Sequence, residues 1–244
     1  MTRALHWDGC VNVRDLGELP LEGGGQTRRG VLVRADNVRK LTDAGWDALA
    51  GHGVTRIVDL RWAEELAQDP PRDVDLDVVH LSVLGELDDE YADDVDEFLE
   101  RGDAAGYWAS FYEKMLERYR ANFGAAVAAI ADAPQGVALF HCAGGKDRTG
   151  LVAALVLRAA GVSVDDVAAD YALTGPNLTS GWVDEAPDEA ERRRRRFKQQ
   201  TPAEAIARTL RALEERYGDV ESYLRAAGVT DVQLERLRGR LAAP

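Results

Sequence analysis

Short apolar runs alternate with stretches of helical period along this chain, and the elements can be read from that spacing. Val31-Leu32-Val33-Arg34 follows a turn at Gly23-Gly24-Gly25 and predicts a short strand. Thr42 predicts a helix N-cap; the helix carries Trp46 and Leu49 and stops at Gly51 or Gly53. Residues 54–60 and 76–83 read as further strands, the first of them interior. Tyr107, Phe111, Met115 and Tyr119 recur every fourth position, followed by Phe123, Val127 and Ile130, which predicts two amphipathic helices. Pro134 and Gly136 end that layer before a strand at 137–140. Residues 151–157 predict a helix apolar on most sides and therefore buried, and 162–173 a further one. After a loop at 174–177 and a polar stretch to Gln200, three short helices present Ile206/Leu210/Leu213, Val220/Tyr223/Leu224 and Leu234/Leu237/Leu241. No internal repeat interrupts this order. Strands and helices in this sequence predict an α/β fold, a sheet with helices on its faces.

At 244 residues the chain fits one domain with insertions better than two. No run approaches the roughly 18 apolar residues of a membrane span, and the first residues lack the apolar core of a signal peptide. Two cysteines make no disulfide framework, so a reducing, cytoplasmic setting is expected, export by another route remaining open. The net charge of −13 speaks against nucleic acid as a partner and poses a problem for an enzyme of anionic substrates, which a local cradle must solve. Four histidines and two cysteines show no metal-ligand spacing, so neither a metal nor another cofactor is expected.

The chemistry concentrates in residues 141–150, His-Cys-Ala-Gly-Gly-Lys-Asp-Arg-Thr-Gly. They lie between the strand at 137–140 and the buried helix. A strand, a tight glycine-containing loop and a helix start form an anion cradle, because successive N–H groups and the positive helix end converge on one point. Ala143, Gly144, Gly145, Lys146, Asp147 and Arg148 are the candidate phosphate-binding residues. Arg148 supplies a planar fork matched to two phosphate oxygens. A cation at a helix start opposes the helix dipole, which an anion bound in the same turn would compensate. Cys142 sits where that field favours a thiolate. A phosphate-shaped hole with a nucleophile at its base implies phosphomonoester cleavage through a phosphocysteine, with inorganic phosphate as product.

This run resembles the Cys-x5-Arg-Ser/Thr P-loop of the cysteine-dependent protein tyrosine phosphatases. Its Gly-Lys-Asp-Arg-Thr-Gly ending is most similar to the bacterial tyrosine phosphatase family that includes phosphatase B of mycobacteria. Asn12-Val13-Arg14-Asp15-Leu16-Gly17 resembles that family's N-terminal Asn-Phe-Arg-Asp-Leu-Gly-Gly, with Val13 for Phe and Glu18 for the second Gly. Gly144 replaces an Ala common in the loop. The resemblance frames a core over about residues 6–175 of a single phosphatase domain, with a mostly parallel sheet, a candidate lid at 85–119 and a helical C-terminal extension at 176–244. It implies protein-tyrosine phosphatase activity on phosphotyrosine proteins or peptides.

It also implies roles. Thr149 should hydrogen-bond the Cys142 thiolate and assist its departure. Asp147 is the general acid favoured by the family; Asp88 or Asp89 on the acidic stretch, and Asp59, are the alternatives. His141 orders the loop through buried hydrogen bonds rather than acting as base. Arg14 and Asp15 are expected to form a buried pair behind the loop. Lys146 is expected to point a second cation toward the mouth, which suits phosphoinositide headgroups as additional substrates. Arg192–Arg196 is expected to be a solvated charged face, since Glu185, Asp188, Glu189 and Glu191 precede it. Cys10 is expected to pack rather than to pair with Cys142. Two other classes compete: a sulfurtransferase, whose loop does not call for arginine six places after the cysteine, and a non-catalytic phospho-binding module, which has no need to keep Cys142, Asp147 and Arg148 together.

Overall fold

Strands that alternate two apolar faces are stable only inside a sheet covered on both sides. In the computed structural model, which describes residues 3–84, 95–178 and 181–242, such strands form one sheet of order β1-β2-β5-β3-β4. These are β1 (Arg14–Asp15), β2 (Leu32–Ala35), β3 (Val54–Asp59), β4 (Asp77–His80) and β5 (Val137–His141). All run parallel except β1, which is antiparallel to β2 at the edge. Period-two alternation sorts the central side chains. Val137 and Leu139 face one core with Val33 and Ile57, whereas Ala138 and Phe140 face the other with Leu32 and Val58.

The smaller core is closed by α1 (Asp43–Gly51), capped by Thr42 as expected, through Leu49 and Trp46. A short α2 (Ala63–Gln68) follows β3. The larger core is filled by α4 (Ala104–Arg118), α5 (Arg120–Ala131), α6 (Asp147–Ala159) and α7 (Val164–Ala172), with α10 (Ala203–Tyr217), α11 (Val220–Ala226) and α12 (Asp231–Leu241) behind them. α6 is almost entirely buried, which its apolar sequence predicts. The candidate acids Asp88 and Asp89, and most of the acidic stretch, lie outside the described residues.

The polar stretch before Gln200 is structured. It contains α8 (Gly181–Asp184) and α9 (Glu189–Gln199), the latter capped by Asp188. The arginines of α9 are mostly paired instead of simply solvated: Arg194 grips Asp96 of α3 (Val95–Arg101), and Arg195 bonds Glu191 and the Trp182 carbonyl. Exposed pairs of this kind add little stability. The anchor is Phe197, buried edge-on against Tyr107 of α4 at 5.8 Å.

Candidate active site

β5 ends at His141, between the carboxyl ends of β2 and β3, where open α/β sheets bind ligands. Cys142 follows directly and is only 2% exposed. The three next carbonyls are all held from behind. Ala143 O accepts from Asn37 N–H at 3.1 Å. Asn12 Nδ2 donates to Gly144 O at 3.1 Å and Gly145 O at 3.2 Å, and Arg34 Nη2 donates to Gly145 O at 2.7 Å. In a trans peptide the N–H points opposite to the C=O. The N–H groups of Gly144, Gly145 and Lys146 therefore turn to the other side of the loop, and among the described residues none accepts from them. These tethers leave the three N–H groups on the side of the loop away from Asn12, Asn37 and Arg34. Gly145 is required for this arrangement: φ is +66°, and a Cβ there would come within 2.7 Å of Ala35 O. Gly144 has no such constraint, since its Cβ would meet open space.

Arg148 lies in the first turn of α6. Both its terminal nitrogens bond Glu65 of α2, Nη2 to Oε1 at 2.9 Å, and its guanidinium stacks over Trp62 at 5.4 Å. Burial pushes the Glu65 carboxyl up, but the bonds from Arg148 and the Trp62 N–H outweigh it and hold Glu65 below the usual range. Glu65 and Trp62 thus aim the fork; neither is singled out by the sequence pattern, although both follow β3 directly.

Asp147 opens α6, with its side chain 33% exposed. Its Oδ1 accepts from the Tyr112 hydroxyl at 2.5 Å, and Lys146 Nζ is 3.5 Å from the same atom. Asp59, the buried alternative, is engaged elsewhere: Arg61 donates to it from Nε and Nη2 at 3.0 and 2.8 Å. Burial works against its charge, yet the Arg61 bonds and the neighbouring His141 hold the Asp59 carboxyl below its ordinary value.

Three expectations need correction. Lys146 does not project toward solvent at the mouth. Its ammonium sits 3.5 Å from the Trp108 ring centroid and donates to Lys198 O at the C-terminal end of α9. An aromatic face and a helix C-terminus both attract a cation more than the open rim does. Burial pulls Lys146 down to about 8, opposed by the charge of Asp147. Thr149 is fully buried, but its hydroxyl makes no hydrogen bond among the described residues, so the expected bond to Cys142 is not formed.

Arg14 and Asp15 are both buried but do not pair with each other. Successive strand residues point to opposite faces. Arg14 lies in register with Arg34, and both guanidiniums bind Asp170 of α7, Arg14 from Nε at 3.0 Å and Arg34 from Nη1 at 3.0 Å. Arg14 also donates to Asn12 Oδ1 at 3.0 Å, so it supports the loop through Asn12. Asp15 faces the other way and accepts from the N–H groups of Gly17 and Gly30. Glu18, where the resembled motif has glycine, takes φ +62°, a left-handed conformation costing about 1 kcal/mol without glycine.

His141 is buried, with Nδ1 3.2 Å from Cys142 O. Burial lowers its basicity despite the nearby Asp59. Cys10 packs near the loop, its thiol 3.5 Å from Asn37 O, and burial beside Asp36 pushes that thiol above its ordinary range. Both cysteines are free. No group of side chains that could hold a metal ion occurs among the described residues.

The profile of the tyrosine phosphatase family matches residues 5–243, running through the C-terminal helices and past residue 175, where the motif resemblance stops. A tyrosine-protein phosphatase of Nostoc commune is 31% identical over 233 residues, covering 86% of this chain and 74% of the relative. The triple specificity protein phosphatase PtpB of Mycobacterium tuberculosis is 28% identical over 271 residues, covering 96% and 97%. With the Cys142 loop, its arginine and the supporting Asn12–Arg14 element in one constellation, and with the profile spanning nearly every residue, the chain belongs to the tyrosine phosphatase family.

Proposed function

We propose that this protein is a metal-independent phosphomonoester hydrolase that dephosphorylates phosphotyrosine in proteins or peptides through a phosphocysteine on Cys142. The observation that carries the proposal is the back-tethering of the carbonyls of residues 143–145, which aims three N–H groups at one side of the loop beside Cys142. Those N–H groups and the Arg148 fork bind the equatorial phosphate oxygens, a preorganised field that strengthens as charge develops there. The Cys142 thiolate attacks phosphorus, the S–P bond forms, and the P–O bond to the leaving group breaks. Asp147 protonates the leaving oxygen. It then takes a proton from water as the phosphocysteine is hydrolysed. Asp147 is preferred over Asp59 because it is accessible beside Arg148, whereas Asp59 is buried and saturated by Arg61. No described helix is long and apolar enough to cross a membrane. Free thiols at Cys10 and Cys142 suit a reducing cytoplasm.

Asp147→Asn is expected to lower kcat on phenyl phosphate by about 10²–10⁴-fold and on nitrophenyl phosphate by about tenfold or less, because the better leaving group needs little protonation. Steady-state kinetics on both esters checks this. Equal losses would assign Asp147 a structural role instead, and absent turnover of any aryl ester would favour the binding-module reading.

A broader range, including phosphoserine, phosphothreonine or phosphoinositides, is the second reading, favoured by the similarity to a phosphatase named for triple specificity. Lys146 bears on it. With its ammonium buried against Trp108, Lys198 O and Asp147, Lys146→Ala is expected to lower kcat/KM about tenfold on a phosphotyrosine peptide, a phosphoserine peptide and a soluble phosphoinositide alike. Selective loss of the phosphoinositide would instead put Lys146 on a second phosphate.

A further inference from the structure

Asp147 is the only carboxyl in the loop, and one of its oxygens is already committed. Tyr112 lies on α4, fully buried, and its hydroxyl reaches Asp147 Oδ1 at 2.5 Å. Behind it the Tyr171 hydroxyl of α7 stands 2.7 Å from the Tyr112 oxygen. Three elements therefore converge on one carboxyl: α4, α7 and the start of α6. Their approach is built into the packing. Tyr112 stacks on Trp108 at 5.4 Å and meets Tyr171 edge-on at 6.1 Å. Tyr171 closes against α6 at Gly150, where a Cβ would lie 3.0 Å from its ring.

A phenol carries one proton and two lone pairs. The Tyr112 O–H donates to Asp147 Oδ1, so Tyr112 spends its proton there and itself accepts from Tyr171. The direction of the chain is thereby fixed: Tyr171 O–H donates to Tyr112, and Tyr112 O–H donates to Asp147 Oδ1. Burial, reinforced by the charge of Asp147, pushes both phenols well above their ordinary range, so they remain donors throughout the working range of the protein. Lys146 Nζ stands on the same oxygen at 3.5 Å. Every described partner of the carboxyl thus sits on Oδ1.

We infer that Tyr112, itself oriented by Tyr171, is a positioning residue that pins Oδ1 of Asp147 and so makes Oδ2 the atom that carries the proton to the leaving oxygen. The inference rests on the reading of Asp147 as general acid and adds which oxygen acts and what aims it. In the first step the O–H bond at Oδ2 breaks as the ester P–O bond breaks. The electron pair of that P–O bond goes to the leaving oxygen, which takes the proton, and the Sγ–P bond forms at Cys142. In the second step the water oxygen bonds to phosphorus and the Sγ–P bond breaks, its electron pair returning to Cys142, while Oδ2 accepts the water proton and Oδ1 stays bonded to Tyr112. The same hydrogen bond therefore holds the carboxyl in one orientation through both steps.

The test uses the full chain with Tyr112→Phe and Tyr171→Phe, which keep the rings and their stacking, alone and combined with Asp147→Asn. Tyr112→Phe is expected to lower kcat on phenyl phosphate by about tenfold and on nitrophenyl phosphate by about threefold or less, with KM within about twofold on both. Tyr171→Phe should act in the same direction by about two- to threefold, because it works through Tyr112. In the Asp147→Asn background Tyr112→Phe should add less than about twofold, as residues acting through one group are non-additive. A loss equal on both esters, a change carried by KM, or a full-size effect retained without the Asp147 carboxyl each overturns the inference. If Asp147→Asn shows the leaving-group dependence and Tyr112→Phe does not, the positioning role alone falls. If Asp147→Asn lacks it, the general-acid reading falls and takes this inference with it.

Discussion

Cys142→Ser should abolish turnover, by on the order of 10⁴-fold or more, while leaving the affinity for inorganic phosphate within a few-fold of the original. Binding and bond breaking are separable here because they rest on different atoms. The N–H groups of residues 144–146 and the Arg148 fork owe their directions to Asn12, Asn37, Arg34 and Glu65, none of which hydrogen-bonds the Cys142 side chain. Serine fills nearly the same volume in that buried position. A serine hydroxyl is a far weaker nucleophile than a cysteine sulfur and does not form the O–P counterpart of the S–P bond at a useful rate. Nitrophenyl phosphate kinetics together with calorimetric titration of phosphate measure the two halves. Residual turnover within tenfold of the original would mean that Cys142 is not the nucleophile. EDTA is expected to leave the unsubstituted enzyme unchanged; loss restored by a divalent ion would point to metal-assisted hydrolysis instead.

The largest effect on stability is expected at Asp170. One carboxylate, 1% exposed, faces three guanidiniums: Arg3 at 2.7 Å, Arg14 at 3.0 Å and Arg34 at 3.0 Å. Removing its charge leaves Arg14 and Arg34 buried side by side with no counter-ion. Breaking a buried ion pair from one side costs about 3–5 kcal/mol, a large share of a typical stability of 5–15 kcal/mol. Asp170→Asn should therefore lower the urea midpoint markedly with little change in m. Arg34 also holds Gly145 O, so any folded fraction should bind phosphate less well.

The sign of the pH dependence follows from the same cluster. Burial pushes the Asp170 carboxyl up, but the charges of Arg14 and Arg34 outweigh it and hold the group far below its ordinary value. A carboxyl depressed on folding contributes stability that is fully present above its unfolded value near 3.9. That contribution is lost as pH falls from there through the folded value. Urea titrations at pH 7, 4 and 2.5 should show the gap between Asp170→Asn and the unsubstituted chain narrowing toward acid. A gap that widens would contradict the assignment.

The candidate site was legible wherever its chemistry is local. Cys142, Asp147 and Arg148 fall within one turn of loop and helix, and a strand pattern before them with an apolar helix pattern after them was enough to orient the run. The motif at residues 12–17 was recognisable, but its function was not. Asn12 bonds carbonyls 132 and 133 positions away, and Arg14 bonds Asp170, 156 positions away. The pairing of Arg14 with Asp15 failed on the alternation of β1, which could have been applied had that two-residue strand been visible. Arg34 carried a faint signal, as a charged residue inside an apolar run, for a buried role. Glu65, Trp62 and Tyr171 carried none, and Tyr112 stood out only as one of the aromatics near residue 110 that could wall a cleft.

The sequence by itself determined the α/β class, most of the helices and strands, and the loop at residues 141–148 that carries the candidate nucleophile. Each of these depends on the period of apolar positions, on caps and glycines, or on residues a few places apart, all of which are local properties of the chain. Only the tertiary structure decided what aims those groups. Glu65 turns the Arg148 fork, Tyr112 holds Asp147, Trp108 and the end of α9 take the Lys146 ammonium, and Asp170 gathers Arg3, Arg14 and Arg34 beneath the loop. α9 itself, polar by sequence, owes its place to one buried phenylalanine packed against Tyr107. The physical reason is that a buried charge or hydrogen-bonding group must find its partner in space, and packing can supply that partner from any distance along the chain.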